Sequence, residues 1–189
     1  NKEGCMACMI DEKKIEDTIA FHGHSCPGLA IGIRAAELAL DRLDFVPGAN
    51  MVCVVETDMC GVDGIQYLTG CTFGKGNLIH KDFGKPGFTF YDRDNEKGFR
   101  ALFQDNAVDV LAPAGGFAQR EDRTRAIMAA DLEALFQVKD VTVPPARPAR
   151  ILESMICRDC GEKVMESRIR RFGGKDLCIP CFQKHEQKI

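Results

Sequence analysis

Tryptophan is absent from this chain, tyrosine occurs twice and histidine four times. Aromatic residues make up only 7% of the chain, and each imidazole is a marked position. No run approaches the roughly 18 consecutive apolar residues that a membrane span requires. The segment Asn1 to Gly4 also lacks the basic-then-apolar layout of a secretion signal. These absences set the expectation of a cytoplasmic protein without a membrane partner. An excess of positive charge is missing too: the net charge of −3 gives no whole-chain field that would favour nucleic acid or an anionic lipid surface.

Cysteine is what the chain has in quantity, with ten in 189 residues. In a short secreted protein that count would suggest a disulfide scaffold. Here most of the cysteines come as Cys-x-x-Cys pairs, which points to metal ligands or reactive thiols. The length allows one ordinary domain and a small appendage, and 45% hydrophobic with 28% charged residues is the balance of a globular chain.

The local patterns mix helices and strands. Residues 11–21 place Ile15, Ile19 and Ala20 at helical spacing behind an acidic first turn. Pro27 opens a second helical pattern, in which Leu29, Ile33, Ala36 and Leu40 face the core. The β-branched run 51–56 predicts a buried strand ending at Glu56, Thr57 and Asp58, with Cys53 as a small buried apolar residue. A short helix is expected over 60–69, strands over 88–93 and 107–113, and an amphipathic helix over 121–136. Without a regular βαβ repeat, the pattern favours an α+β core over a doubly wound sheet. Three prolines within 143–150 mark a boundary. The expected organisation is a core domain (1–143), a Pro-rich linker (144–150) and a small four-cysteine zinc-ribbon or treble-clef-like module (151–189).

In that last module, Cys157-x-x-Cys160 and Cys178-x-x-Cys181 are seventeen residues apart, the spacing of two knuckles closing a tetrahedral thiolate site around Zn²⁺. Four protein ligands leave no open position, so the zinc is expected to be structural. Gly161 supplies the tight turn after the first pair and Gly173-Gly174 a hairpin turn before the second. Between the pairs, Arg168, Arg170 and Arg171 form the basic cluster of the chain. Phosphate contact is one reading of these arginines, and a solvated hairpin face is the favoured one.

A second concentration of chemistry lies in FHGHSCPG. His22, His24 and Cys26 alternate, so in an extended segment all three would point one way and either histidine could reach a shared ion. Two imidazoles and a thiol suit Zn, Ni or Fe, and a position just before a helix favours a thiolate at Cys26. Further along, Cys60, Asp63, Gln66 and Cys71 follow the buried strand and complete the candidate site. Gly74-Lys75-Gly76 lacks the spacing of a phosphate loop, and His80 and His185 stand alone. Cys5 and Cys8 form a third pair without a partner pair, open to readings as disordered thiols, a redox pair or incidental ligands.

The strings FHGHSCPGLAIGIRAAELAL, CGVDGIQYLTGCTFGKGNL and FTFYDR, with the CRDCGEKV…DLCIPCF tail, resemble the E-subunit family of formylmethanofuran dehydrogenase across roughly residues 15–182. The resemblance implies an α+β core in an intertwined homodimer, with a zinc finger in some members. It also implies a metal-bearing cavity around His22, His24, Cys26, Cys60, Asp63, Gln66 and Cys71, and a place beside molybdenum or tungsten enzyme subunits. The tail is also similar to the DksA and TraR fingers, whose long acidic-tipped coiled coil this chain lacks. The expected function is a metal-binding accessory protein with a core metal or small-molecule site. The alternative is a metal-sensing or nucleic-acid-binding regulator acting through the basic finger. No catalytic residues are assigned, since neither a Ser/His/Asp order nor a paired-carboxylate motif is recognisable.

Overall fold

Asp11 starts the first helix by accepting the backbone N–H groups of Lys13 and Lys14 on its side chain, which satisfies two of the donors that a helix start leaves free. In the computed structural model, described here for residues 8–44, 50–113, 116–145 and 151–185, helix α1 (Glu12–His22) is followed by α2 (Pro27–Arg42). Pro27 sits where its missing N–H costs nothing. Strand β1 (Met51–Val55) then leads into α3 (Gly61–Thr69), and β2 (Leu78–His80), β3 (Gly87–Asp92) and β4 (Lys97–Phe103) follow. The first unit ends with α4 (Asp105–Asp109), α5 (Arg120–Ala129), α6 (Leu132–Leu135) and β5 (Phe136–Val141).

The five strands form one sheet in the order β2-β1-β3-β4-β5. Only β1 and β2 run parallel; the other neighbours are antiparallel. Every residue of β1 and β3 is buried, which explains the continuous apolar reading of MVCVV. Phe88, Phe90 and Phe99 fill the centre with Ile65, Ala35, Ala39 and Cys53. A bidentate pair pins the sheet, with Arg100 Nε and Nη2 donating to Glu56 at 2.6 and 2.7 Å.

Helices α2 and α3 cross backbone to backbone. A Cβ on Gly32 would fall 2.5 Å from Gly61 Cα and 2.6 Å from its carbonyl carbon, and one on Gly64 would lie 3.1 Å from Ile33 N. No side chain fits at Gly32, so this approach specifies glycine.

Two expected elements differ. The 107–113 stretch is not a strand but the turn of α4 and its exit, with Val108 buried and Val110 and Leu111 exposed; a short apolar run does not by itself separate helix from strand. The helix expected over 121–136 stops at Ala129. Fully buried Arg34 donates to Met128 O and Ala130 O at 3.3 and 2.6 Å, so α2 claims the carbonyls that would have carried the helix on. Phe136 then begins β5.

The chain divides into two compact units, Asn1–Pro148 and Ala149–Ile189. The second contains two hairpins, β6 (Ser154–Ile156) with β7 (Lys163–Met165) and β8 (Arg170–Phe172) with β9 (Lys175–Leu177), and helix α7 (Ile179–His185). Its small core is Leu177 with Cys157, Cys178 and Cys181. Of the expected linker, residues 146–150 lie outside the described residues. Among the described residues, no helix is long and apolar enough to cross a membrane.

Candidate functional site

Helix α1 ends at His22 because Gly23 takes a left-handed conformation, φ 96°, and donates its N–H to Ile19 O at 2.8 Å. The chain turns through His24 and Ser25 to Cys26, the N-cap of α2, whose Sγ accepts the Leu29 N–H at 3.4 Å. Cys60 precedes α3. The glycine crossing carries the start of α3 onto the start of α2, so that a Cβ on Gly28 would lie only 3.2 Å from Cys60 Cβ. As a result His22, Cys26 and Cys60 present ligand atoms within 4.8 Å of one another.

The imidazole is held in one orientation. His22 Nδ1 donates to Asp63 Oδ2 at 2.7 Å, since an ionised carboxylate only accepts. Nε2 is left facing Cys26 Sγ at 3.9 Å. A carboxylate behind a histidine, fixing the tautomer that offers Nε2, is the outer-shell arrangement typical of metal-binding histidines. Asp63 therefore stands behind the donor cluster rather than in it. Burial pushes the Cys60 thiol up from its ordinary value, and the adjoining Cys26 thiol adds to the effect.

A cavity of about 540 Å³ opens beside the cluster, with His22, Cys60, Asp63 and Gln66 on its wall. Val55, Met59, Phe73 and Leu78 supply apolar surface, and Thr57, Asp58 and His80 polar surface. The cavity lies beyond the carboxyl ends of β1 and β2, the one parallel pair, where open sheets of mixed structure tend to bind ligands. His80, set aside in the sequence as isolated, reaches it only because β2 pairs with β1, Val55 opposite His80.

Two expected site residues stand apart. His24 is exposed and sets its ring at a tilt of 34° to that of His22, with centroids 4.6 Å apart, but is not one of the three clustered donors. The extended geometry expected for 22–26 is replaced by a helix end, a glycine turn and an N-cap, so alternate residues do not point alike. Cys71 is fully buried in the main core and directs its Sγ to Met51 O at 3.6 Å. Cys8 is buried rather than disordered, and burial pushes its thiol up; the next N–H, of Met9, donates to Glu37 Oε1 at 2.6 Å. Cys5 lies outside the described residues.

In the second unit, Cys157, Cys160, Cys178 and Cys181 also bring their sulfurs within 4.8 Å of one another. Gly161, φ 76°, returns its N–H to Cys157 O at 3.0 Å. The backbone N–H groups of Cys178 and Cys181 donate to Cys157 Sγ and Cys178 Sγ at 3.3 and 3.4 Å. Backbone N–H donation from Cys160 and Cys178 brings Cys157 down to about 6, whereas the crowding thiol of Cys178 pushes Cys181 up to about 12. One thiolate therefore forms readily in a nest that needs a cation to hold four. Gly173 and Gly174, φ 56° and 78°, turn the second hairpin. Arg168, Arg170 and Arg171 are exposed. Among the described residues, Arg168 and Arg170 bond only to local backbone and Ser167, and Arg171 lies opposite Asp176 across the hairpin. His185 bonds to Asp159 and stacks on Phe172.

Residues 21–138 match the family described as "FmdE, Molybdenum formylmethanofuran dehydrogenase operon". Residues 150–187 match the "Prokaryotic dksA/traR C4-type zinc finger", which with the sulfur geometry supports a structural zinc site there. A "Probable S-adenosyl-L-methionine-binding protein" of Archaeoglobus fulgidus is 30% identical over 187 residues; the match covers 85% of this chain and 50% of that protein. The chain thus spans about half the length of that curated relative. A crystal structure of a tungsten formylmethanofuran dehydrogenase FmdE-like protein from Syntrophus aciditrophicus superposes with a TM-score of 0.68 at 24% identity, covering 93% of this chain and 94% of the other. The likeness is one of fold.

Proposed function

The chain belongs to the FmdE family, and from that premise we propose that it is a metal-binding accessory protein with a transition-metal site at His22, Cys26 and Cys60 beside a small-molecule cavity. The observation that carries this reading is the convergence of two thiols and an imidazole, the imidazole already oriented by Asp63. Two sulfurs and one nitrogen suit Zn²⁺ first, then Ni or Fe.

His22, Cys26 and Cys60 would hold the metal, which would supply Lewis acidity beside the cavity. The chain's own groups do the rest. Asp63 keeps the proton on Nδ1, His22 and Cys60 border both cluster and cavity, and Met59, Phe73 and Leu78 supply apolar surface along the wall, Leu78 from the buried side. S-adenosyl-L-methionine, named for the Archaeoglobus relative, is the first ligand to test, because a cavity of about 540 Å³ that sets apolar Val55, Phe73 and Leu78 beside polar Thr57, Asp58 and His80 offers surface for a purine ring, for hydroxyl groups and for a cationic centre. The homodimer and the association with molybdenum or tungsten enzyme subunits belong to the same proposal.

Metal content of the anaerobically purified full chain tests the reading. Two equivalents are expected for the natural sequence, and one for Cys26→Ser/Cys60→Ser. Two equivalents in that double variant would sink the core-site reading.

A second reading, nucleic-acid binding through the finger, has in its favour that the Arg168 and Arg170 guanidinium groups are free of ion pairs among the described residues. It requires salt-dependent retention of single-stranded RNA or DNA that Arg168→Ala/Arg170→Ala abolishes.

A further inference from the structure

Gln66 joins two parts of the cavity that the sequence keeps apart. Its Oε1 accepts the backbone N–H of Phe73 at 3.3 Å, and its Nε2 donates to Asp63 Oδ1 at 3.4 Å. The other oxygen of the same carboxylate takes the Nδ1 proton of His22 at 2.7 Å. The direction of each bond is forced. A backbone N–H only donates and an ionised carboxylate only accepts, so the amide fits in one orientation and neither a carboxylate nor an amine at this position could do both tasks.

A continuous line of hydrogen bonds thus runs from the Phe73 backbone through Gln66 and Asp63 to the ring whose Nε2 faces Cys26 and Cys60. Phe73 is itself a cavity wall, and its side chain is among the most exposed large apolar groups of the described residues, at 72%. The loop that carries it is otherwise tied by its own short-range bonds: Thr72 N–H to Asn77 Oδ1 at 2.9 Å, Lys75 Nζ to Gly70 O at 2.9 Å, and Gly76 N–H to Phe73 O at 3.1 Å. Gln66 is the hydrogen bond from this loop to the histidine side of the cavity. Both of its bonds, at 3.3 and 3.4 Å, are longer than the usual span of roughly 2.7–3.2 Å, so small displacements at either end make or break them.

We propose that Gln66 is a positioning residue that couples the Phe73 wall of the cavity to the orientation of His22, so that occupancy of the donor cluster and the placement of the 72–76 loop change together. The proposal rests on the metal reading above and adds to it a route by which a ligand in the cavity senses the metal, and the metal senses the ligand. The coupling is reciprocal, as any linkage of two binding events must be.

The absence of tryptophan makes the test direct. In full-length Phe73→Trp protein whose finger is already loaded, Zn²⁺ is titrated while the second metal equivalent and the indole emission are followed in parallel. Uptake of the second equivalent is expected to shift the emission. In Phe73→Trp/Gln66→Leu the second equivalent still binds, three- to tenfold more weakly, and the emission no longer responds. Gln66→Glu, of nearly the same shape, retains the bond to the Phe73 N–H but opposes the Asp63 carboxylate, and also loses the response; it serves if the leucine variant does not fold. An emission shift of equal size with Gln66 replaced would overturn the coupling while leaving the metal site standing. Failure of Phe73→Trp protein to take a second equivalent, where the natural chain takes one, would assign the wall a structural part in the site and overturn the proposal. A natural chain that binds only the finger zinc would remove the metal reading and this proposal with it.

Discussion

Replacing Gly32 by alanine should disrupt the candidate site without touching any of its donors. The added Cβ would stand 2.0 Å from the Gly61 carbonyl oxygen, 2.5 Å from its Cα and 2.6 Å from its carbonyl carbon, whereas ordinary contacts begin at 3.4 Å. Helices α2 and α3 must therefore separate by roughly 1–1.5 Å at the crossing, because the obstruction is backbone and no rotamer relieves it. Overpacking of this kind costs roughly 1–3 kcal/mol, and a backbone neighbour puts Gly32 at the upper end. Alanine returns about 1 kcal/mol through its helix propensity. The net loss of about 2 kcal/mol corresponds to a fall in Tm of roughly 4–8 °C for a domain of about 150 residues. The same separation moves Cys60 away from Cys26, so the core metal equivalent should be lost at temperatures where the protein is still folded. Calorimetry and metal content on one preparation give both readouts. Gly74→Ala is the control, since nothing lies within 4 Å of its Cβ and its φ is not positive. A Gly32→Ala protein that melts with the natural chain and keeps two metal equivalents would refute the argument that the crossing builds the site.

Asp63→Asn should weaken Zn²⁺ binding at the core by about 10–100-fold, measured against a chromophoric chelator; unchanged affinity would remove Asp63 from the outer shell. Glu56→Gln breaks the bidentate pair with Arg100 and should cost about 2–3 kcal/mol in urea unfolding. The Arg100 guanidinium holds the Glu56 carboxyl below its ordinary value, so the pair's stabilisation is complete above the unfolded-state value of about 4.3 and disappears as pH falls through the lower folded value. The acid limb of the stability curve should flatten in the variant, and an unaltered limb would speak against the pair. Cys178→Ser should abolish zinc in the second unit and expose residues 151–185 to protease, while the calorimetric transition of the first unit persists; protection equal to that of the natural chain would mean the finger folds without its metal.

What the sequence reveals depends on how local the determining interaction is. The cysteine knuckles are legible because each pair spans four residues and Gly161, Gly173 and Gly174 announce their turns. Helices α1 and α2 are legible because Asp11 and Pro27 start them within a periodic pattern. The stop of α5 is not, because the group that ends it, Arg34, lies 94 residues away from Met128. The candidate site divides the same way. Its residue types stand out in FHGHSCPG, but the choice of His22 over His24 depends on the left-handed turn at Gly23, and the choice of Cys60 over Cys71 on which of them α3 brings across Gly28. Asp63 and Gln66 are visible as polar neighbours, while their roles behind His22 follow only from the hydrogen bonds.

The two clusters also differ in when they can come into being. The finger's sulfurs lie in two tight turns joined by a short stretch of chain, so an ion can gather them before any larger structure exists. Cys26 and Cys60 share no turn; they meet only after two helices have docked along a strip with no room for a methyl group. In refolding with scarce metal, the finger should fill early and the core cluster should register the completion of the fold.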